Sequence, residues 1–373
     1  FARSETAMKI TSLRIRVCQP RDWRFQWRDD IPPIDMTMTL FEIGTAEGHT
    51  GVATSWLPAS PVEIADQANH FFRSLIVGAD SNDRERLWQE MMAHARYLIM
   101  PKAASLIDIA LWDLLGKQTG LPIYKLLGAY RESVPTYATT TSYNEVEKNV
   151  EVALAIKKLG YNACKIHPPS IPDLDIEICK AVREAVGPDY RLMLDPTSAY
   201  DYDQALRVGR AIEKLDFYWY EDPIRDDDIA GLRALCEALD IMVLMGESTH
   251  RGPWAYANFF NSFAGDGYRT VADVVGGITG MRKVAAAAEV HNRRLEPHSY
   301  GSTLVQAAHL HHMLASRNCE YFEVPHPKQK LDFGMKTAIE ISADGKVIAP
   351  TAPGLGYEID WDVIDNTTIA EFK

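Results

Sequence analysis

The sequence is poor in cysteine, and its cysteines are far apart. The five thiols are those of Cys18, Cys164, Cys179, Cys236 and Cys319. Their number is odd and no Cys-x-x-Cys pair occurs, which argues against a disulfide framework and against a thiolate metal site. We therefore expect free thiols and a reducing compartment.

Blocks of positive charge and long apolar runs are also missing. The chain has 39 Lys and Arg residues against 51 Asp and Glu residues, which gives a formal net charge of -12. This excess of negative charge repels nucleic-acid phosphates and anionic membranes. The apolar runs, such as residues 241–245, are far shorter than the roughly 20 residues that cross a bilayer, and no apolar signal-peptide region opens the chain. We expect a cytoplasmic protein without nucleic-acid or membrane partners.

The spacing of apolar residues divides the chain into two regions. Alternating runs at 9–17 and 37–43 predict an antiparallel meander, and helical patterns follow. Further on, short apolar runs alternate with amphipathic helices, which is typical of a parallel sheet. The eight predicted strands of that sheet are 136–140, 163–167, 191–195, 218–221, 242–246, 270–274, 294–297 and 321–323. We predict an α/β protein with an α+β capping domain at 8–130, a (β/α)8 barrel at 131–344, and a return of residues 345–373 to the capping domain.

Polar residues end the predicted strands at a regular interval. They recur every 25 or 26 residues and are Asp195, Glu221, Glu247, Asp273, His298 and Glu323. A strand–helix repeat of constant length brings equivalent strand ends to one rim, and the active sites of barrels lie at the carboxyl-terminal rim. We therefore expect these side chains to converge.

Three of these carboxylates, on adjacent strands, offer only oxygen ligands. Asp195, Glu221 and Glu247 suit a hard divalent ion. One Mg²⁺ per subunit is the expected cofactor, and Mn²⁺ is the alternative. Acidic residues also cap strands and helices, and capping would explain any one of these three carboxylates equally well. Three carboxylates at equivalent strand ends favour the metal site.

Basic residues flank the same predicted rim. Lys165 and His167 are two apart on the second strand, so their side chains point to the same face. Both can exchange protons near neutral pH beside a metal. His298, on the seventh strand, lies about opposite them in an eight-stranded ring, which permits acid–base chemistry on two faces of a ligand. In the alternative, Lys165 pairs with a carboxylate and both histidines are structural.

Several short motifs resemble those of one enzyme family. They are Asp108-Ile-Ala-Leu-Trp-Asp113, Gly120-Leu-Pro-Ile-Tyr-Lys-Leu-Leu-Gly128, Trp219-Tyr-Glu-Asp-Pro223, Gly276-Gly-Ile-Thr-Gly280 and Pro353-Gly-Leu-Gly356. Over residues 8–373 the sequence resembles the mandelate racemase subgroup of the enolase superfamily. The resemblance implies a barrel enzyme in which Mg²⁺ binds a carboxylate substrate, a base removes the α-proton, and the metal stabilises the enolate.

The resemblance also assigns roles to residues of the rim. The positions that match are Lys165, Asp195, Glu221, Glu247, His298 and Glu323. Lys165 matches the first lysine of a Lys-x-Lys motif, and His298 matches a base on the seventh strand. Glu323 matches an acid that hydrogen-bonds the substrate carboxylate or enolate, and the other three match the metal ligands.

Two positions depart from the family pattern. His167 replaces the second lysine of Lys-x-Lys, so Lys165 and His167 both stay candidate bases for that face. Val271 replaces the aspartate that usually orients the histidine. Asp273, two residues later, is expected to take over that contact with His298, and a loop carboxylate is the alternative.

The capping domain is expected to close the barrel mouth, as in the family. Substrate contacts are expected from the loops at 21–30 and 55–60, where Arg21, Trp23 and Arg24 suit a polyhydroxy or dicarboxylate substrate. A surface or packing role is the alternative for each of these. Three further histidines fall on a predicted helix beyond the rim and are expected to be non-catalytic: His309, His311 and His312.

Dehydration of an acid sugar to a 2-keto-3-deoxy acid is the leading functional interpretation. It needs one group to take the α-proton and another to deliver a proton to the leaving hydroxyl, which groups on two faces supply. A racemase or epimerase of a 2-substituted carboxylic acid is the first alternative, followed by a cycloisomerase and by a metal-binding barrel without turnover. The expected partners are a small carboxylate substrate and further copies of the chain in a homo-oligomer.

Overall fold

The computed structural model of this chain describes residues 8–21, 23–26, 31–55, 60–96, 98, 101–247, 249, 252–327 and 331–373. The strands are β1 (Ile10–Cys18), β2 (Arg24–Phe25), β3 (Ile34–Asp35), β4 (Met38–Thr45), β5 (Thr50–Thr54), β6 (Ser133–Thr139), β7 (Ala163–Ile166), β8 (Arg191–Leu194), β9 (Trp219–Glu221), β10 (Met242–Met245), β11 (Gly267–Tyr268), β12 (Arg294–Leu295), β13 (Phe322–Pro325), β14 (Lys346–Ile348) and β15 (Thr368–Phe372).

The α-helices are α1 (Pro61–Gln67), α2 (Arg73–Ile76), α3 (Arg84–Ala95), α4 (Lys102–Thr119), α5 (Ile123–Leu126), α6 (Val146–Lys158), α7 (Pro172–Val186), α8 (Tyr202–Glu213), α9 (Ile229–Ala238), α10 (Tyr256–Ser262), α11 (Gly277–Val290), α12 (Thr303–Ala315) and α13 (Trp361–Thr367). A π-helical turn at Ala68–Phe72 joins α1 to α2, and a 3₁₀ turn at Pro253–Ala255 precedes α10. None of the helices among the described residues combines the length and the apolar character needed to cross a membrane.

The first region is an antiparallel sheet that the last strand completes. Its strand order is β15-β1-β4-β5, and the alternation of apolar residues in β1 and β4 buries one face, where α1 and α4 pack. The predicted meander and the return of the C-terminal segment to this sheet are confirmed. The domain limits at residues 130 and 344 stay predictions, and β14 still pairs with β6 of the second sheet.

The second region is the predicted TIM-like barrel. Eight parallel strands follow the order β13-β6-β7-β8-β9-β10-β11-β12. The strands are short and almost fully buried, as expected when helices cover a parallel sheet. Between the two ends of this order, the hydroxyl of Ser299 donates to the carbonyl of Glu323 at 3.0 Å and accepts from the Glu323 amide at 2.7 Å. These bonds bring the ends of the order together at the carboxyl-terminal rim.

The predicted sixth strand at 270–274 is wrong. The strand is Gly267–Tyr268, and the apolar run that follows forms a turn in which the amides of Val274 and Val275 donate to the carbonyl of Val271. A short run of β-branched residues cannot be assigned by periodicity alone. Here Gly276, with φ of 97°, ends the turn and begins α11. Asp273 therefore lies in a turn, and the residue that follows the sixth strand is Arg269.

Two aspartates of the quoted motifs hold α4 to distant parts of the chain, and one of them ties the capping region to the barrel. Asp108 of α4 accepts hydrogen bonds from the amide and the hydroxyl of Thr279 at 2.9 and 2.6 Å, which caps the first turn of α11. Asp113, one and a half turns later, accepts from the amides of Val52 at 2.9 Å and Leu355 at 2.7 Å. Motifs far apart in sequence are thus parts of one interface.

We expect the Asp113→Ala substitution to lower the free energy of unfolding by roughly 2–5 kcal/mol, because two buried amide groups lose their acceptor. Urea unfolding followed by circular dichroism measures this loss. Lys117→Ala is the matched control, since it removes only the half-exposed ammonium that contacts Asp113 at 2.7 Å and should cost less than about 1 kcal/mol. Equal losses for the two variants would contradict the role of Asp113.

Candidate active site

Three carboxylates meet at the carboxyl-terminal rim of the barrel. Asp195 follows β8, Glu221 ends β9 and Glu247 lies two residues after β10. Each offers one oxygen, and these three oxygens lie within 4.8 Å of one another. The structure therefore brings together the three residues that the sequence predicts as metal ligands, although Glu247 is only partly buried.

Lys165 lies at the centre of this group of acids. Its Nζ is 2.9 Å from Asp195 Oδ2, 2.7 Å from Glu221 Oε1 and 3.1 Å from Glu323 Oε1. Burial alone would lower the pKa of Lys165, but the three carboxylates outweigh it and hold that pKa well above its usual value. Lys165 is thus an ammonium that contacts three carboxylates and donates hydrogen bonds to those of Asp195 and Glu221.

Arg269 is the second cation of the site, and sequence reasoning missed it. Its Nε is 2.9 Å from Glu221 Oε1, and its Nη2 is 3.2 Å from Glu247 Oε2 and 2.7 Å from Glu323 Oε2. The side chain is fully buried. Had the sixth strand been predicted at Gly267–Tyr268, Arg269 would have been the residue at its end, in the place that the prediction assigned to Asp273.

The charges of this group fit a divalent ion. We call its members the inner ionic cluster, and they are Lys165, Asp195, Glu221, Glu247, Arg269 and Glu323. With every carboxylate counted as ionised, four carboxylates and two cations give a formal net charge of -2. One Mg²⁺ or Mn²⁺ balances that charge, and hard oxygen ligands are what these ions bind. The residues present therefore fit the metal that the sequence predicts.

His167 points into the site through one nitrogen. Its Nδ1 lies 2.6 Å from the carbonyl oxygen of Thr140, which can only accept, so Nδ1 is the donor there. Its Nε2 lies 2.9 Å from Asp195 Oδ2. The bond to Thr140 thus fixes the orientation of the ring and leaves Nε2 as the nitrogen that faces the cluster.

His298 reaches the cluster from another strand end. It follows β12, and its Nε2 lies 3.5 Å from Glu247 Oε1. Burial lowers the pKa of His298, so its ring is held neutral. Asp273 does not make the expected contact: Nδ1 of His298 has no hydrogen-bond partner within the described ranges. The carboxylate of Asp273 instead lies 4.0 Å from the ammonium of Lys102 on α4, because the turn at 271–275 carries it there.

Glu323 pairs with both cations of the cluster. Burial alone would raise its pKa, but Lys165 and Arg269 hold the pKa of Glu323 below its usual range. It is therefore an ionised carboxylate in this arrangement. The expected hydrogen bond from Glu323 to a substrate stays a prediction, and it would require Glu323 to take up a proton.

The candidate residues of the capping loops have local partners. Trp23 packs with Met36, Val305 and Leu331, and so joins the capping region to the start of α12. Arg24 is exposed and lies 3.2 Å from Asp35 in the hairpin of β2 and β3. Arg21 lines a groove beside Arg24. Roles of these residues in substrate binding stay predictions, and residues 22, 27–30 and 56–59 lie outside the described residues.

The three histidines of α12 are buried structural residues. The amide of Ala272 donates to His309 at 2.9 Å, and His311 accepts from the amide of Tyr124 at 3.1 Å. His312 lies 3.2 Å from the Ser316 hydroxyl. Burial lowers the pKa of His309 and of His312 to about 3 and that of His311 to about 4.

These histidines should make the fold sensitive to acid. Because their folded-state pKa values lie below the unfolded value of 6.5, the unfolded chain binds protons that the folded chain does not. The stability that these histidines contribute is therefore complete above that value and is lost as pH falls, by roughly 2 kcal/mol per histidine at pH 5. Thermal unfolding between pH 7 and pH 5 measures the loss.

The contribution of a single histidine can be isolated by replacement. His312→Gln keeps a group that can bond Ser316 and should remove about a third of this pH dependence. His291→Gln, at the exposed end of α11, is the control and should leave the pH dependence as it is. An unchanged slope in the His312 variant would contradict the burial argument.

Two family models match this chain. The model described as "Enolase C-terminal domain-like" matches residues 148–363. The model described as "Mandelate racemase / muconate lactonizing enzyme, N-terminal domain" matches residues 34–128. The two matches fall on the barrel and on the capping region respectively.

The similarity to known proteins extends over most of this chain and over most of each relative. An arabinonate dehydratase of Saccharolobus solfataricus is 31% identical over 333 residues, which are 87% of this chain and 88% of that protein. A D-galactarolactone cycloisomerase of Agrobacterium fabrum is 28% identical over 385 residues, 96% of this chain and 98% of that protein. The crystal structure of a D-glucarate dehydratase from Agrobacterium tumefaciens, complexed with magnesium, has a TM-score of 0.87 and 31% identity, and covers 98% of this chain and 100% of its own.

Proposed function

Because this chain belongs to the mandelate racemase/muconate lactonizing enzyme family of the enolase superfamily, we propose that it dehydrates an acid sugar to a 2-keto-3-deoxy acid. The observation that carries the proposal is the placement of two histidines on different strand ends. His167 approaches the inner ionic cluster at Asp195, and His298 approaches it at Glu247. Two groups that exchange protons are thus available for the two proton transfers that dehydration needs.

In this proposal a single Mg²⁺, with Mn²⁺ as the alternative, is held by Asp195, Glu221 and Glu247. When bound, the ion supplies the positive charge that stabilises an enolate formed from the substrate carboxylate. The charge of -2 on the inner ionic cluster supports one divalent ion. The magnesium complex of the D-glucarate dehydratase, which shares this fold, supports the same choice.

His298 is the proposed base. Its ring is neutral because burial disfavours the charged form, and Nε2 is the nitrogen that faces the cluster. Nε2 would take the proton α to the carboxylate. His167 is the proposed acid, and its Nε2 would deliver a proton to the leaving 3-hydroxyl as the C–O bond breaks. Water and the enol of the 2-keto-3-deoxy acid are the products.

Lys165 then serves as a charge rather than as a base. Its Nζ contacts three carboxylates of the cluster and donates hydrogen bonds to two of them. We expect Lys165→Ala to lose both proton exchange and dehydration, because buried carboxylates lose their counter-charge. His167→Asn should keep α-proton exchange and lose dehydration by roughly 10²-fold or more. If His167→Asn loses exchange while Lys165→Ala keeps it, His167 is the base rather than the acid.

Deuterium exchange tests the enolate step. The protein is incubated in D₂O with Mg²⁺ and a panel of aldonates and aldarates, and the α-proton signal is followed by NMR. A keto-acid reagent detects the 2-keto-3-deoxy product in the same samples, and EDTA should remove both signals. Exchange without keto acid would refute dehydration, and the absence of exchange with every member of the panel would refute the enolate step.

A racemase or epimerase of a 2-substituted carboxylic acid is the second candidate. The same two histidines favour it, because inversion also needs one group to remove a proton and another to return it. Inversion at the α-carbon, followed by polarimetry and by chiral chromatography, distinguishes it from dehydration. Assembly as a homo-oligomer stays a prediction, which sedimentation velocity tests.

A further inference from the structure

Arg269 is a permanent cation at the floor of the candidate site. Arginine stays protonated at any pH that proteins tolerate, and the side chain of Arg269 is completely buried. One guanidinium contacts three carboxylates, those of Glu221, Glu247 and Glu323. Two of these are proposed metal ligands, so Arg269 and a bound metal would act on the same acids.

The position of the guanidinium is fixed from its other side. Nη1 donates to the Tyr137 hydroxyl at 3.1 Å and lies 3.4 Å from the carbonyl oxygen of Glu296. Tyr137 is itself fully buried, with its ring edge-on to Trp219 at 5.4 Å. The planar fork of Arg269 therefore spans the floor with bonds on both sides, and it is not placed to swing away when a metal binds.

Arg269 determines the net charge of the cluster when a metal is bound. With Arg269 the inner ionic cluster carries -2, and one divalent ion brings it to neutrality. Without Arg269 the same cluster would stay anionic after the ion bound and would repel a carboxylate substrate. A fixed cation a few ångströms from a divalent ion also opposes its binding strongly, since the site is shielded from water.

We propose that Arg269 is a positioning residue that fixes both the geometry and the net charge of the metal site. It holds Glu221, Glu247 and Glu323 through one guanidinium, and it sets the charge of the cluster so that a single Mg²⁺ neutralises it. The charge of Arg269 lowers the affinity of the site for Mg²⁺. In exchange, the metal-bound site is neutral and does not repel an anionic substrate. This inference rests on the metal assignment of the proposed function.

Calorimetric titration with Mg²⁺ at pH 8 tests the inference without any substrate. Arg269→Met keeps an unbranched, though shorter, side chain and removes the charge, and should bind Mg²⁺ at least about tenfold more tightly than the wild type. Arg269→Lys restores the charge and should return to within about threefold of the wild type. A structural role alone would change the thermal stability of both variants and would not tighten metal binding.

Glu323→Gln provides the opposite change of charge. Glu323 belongs to the cluster but is not a proposed metal ligand, and its amide is nearly isosteric. This variant should bind Mg²⁺ at least about tenfold more weakly. The double variant, Arg269→Met with Glu323→Gln, restores the net charge of -2 and should bind close to the wild type. Because it leaves no unpaired charge on these two residues, it also tests the inference if Arg269→Met alone does not fold.

The outcomes separate the inference from the function on which it rests. Unchanged or weaker Mg²⁺ binding by Arg269→Met, or a double variant no closer to the wild type than Glu323→Gln alone, would overturn the role of Arg269. A wild type that binds Mg²⁺ but exchanges no α-proton refutes the proposed function alone. A wild type that binds no divalent ion refutes the metal site and this inference together.

Discussion

Glu221→Gln is expected to weaken Mg²⁺ binding by more than about a hundredfold and to abolish α-proton exchange with it. Glu221 is the most constrained of the three proposed ligands. Its Oε1 lies 2.7 Å from Lys165 and 2.9 Å from Arg269, and its Oε2 accepts from the indole of Trp219 at 3.0 Å. An amide in the same place must turn its NH₂ group towards one of these donors, and it carries no charge for the ion.

Isothermal titration with Mg²⁺ and exchange in D₂O measure the two effects on the same preparation. Glu296→Gln is the matched control, because Glu296 is also a fully buried acid that follows a barrel strand. Its carboxylate instead pairs with Arg294 and accepts from the amides of Glu320 and Tyr321. That variant should change Mg²⁺ binding by less than about threefold. Retained exchange in Glu221→Gln would mean that the metal assignment is wrong.

The interval between strand ends predicted the carboxylates but not the cations of the site. Asp195, Glu221 and Glu247 lie together because the two strand–helix repeats that separate them have equal length. The same interval then led to Asp273, which is wrong as a strand end. The next repeat contains a 3₁₀ turn and α10 before a strand of two residues, so equal spacing along the chain no longer means an equivalent place on the rim.

Arg269 was missed for a related physical reason. Arginine is usually a surface residue, and the sequence around Arg269 gives no sign that this side chain is buried. Its burial is stabilised by carboxylates from three other strands or strand ends, Glu221, Glu247 and Glu323. Contacts of this kind are set by the closure of the barrel, which no local pattern records. Asp108 and Asp113 were likewise recognised only as parts of motifs, and the sequence did not indicate which residues they bind.

The roles of some histidines could be predicted from the sequence, whereas the partner of another could not. The place of three histidines on a predicted helix beyond the rim indicated a non-catalytic role, and the contacts of His309, His311 and His312 agree with it. The expected partner of His298 could not be predicted in the same way. The path of the turn at 271–275 decides where the carboxylate of Asp273 lies, and residue type does not predict that path. Nδ1 of His298 is therefore left without the expected hydrogen bond among the described residues.

His298→Asn is expected to lower the rate of α-proton exchange by roughly 10²–10⁴-fold, the range for loss of a general base. Mg²⁺ affinity should stay within about threefold, because His298 contacts the cluster only at Glu247, at 3.5 Å. This combination differs from that of Glu221→Gln, in which both quantities are lost. NMR exchange rates in D₂O and calorimetry with Mg²⁺ measure the two on each variant.

His312→Gln is the control for the loss of a buried histidine that does not face the site, and it should keep the wild-type exchange rate. If His298→Asn keeps exchange and His167→Asn loses it, the base is His167, which follows β7, and the acid is His298, which follows β12. Elimination would then proceed from the other face of the substrate. If both variants keep exchange, neither histidine is the base, and proton removal must be assigned to Lys165 despite its three carboxylate contacts.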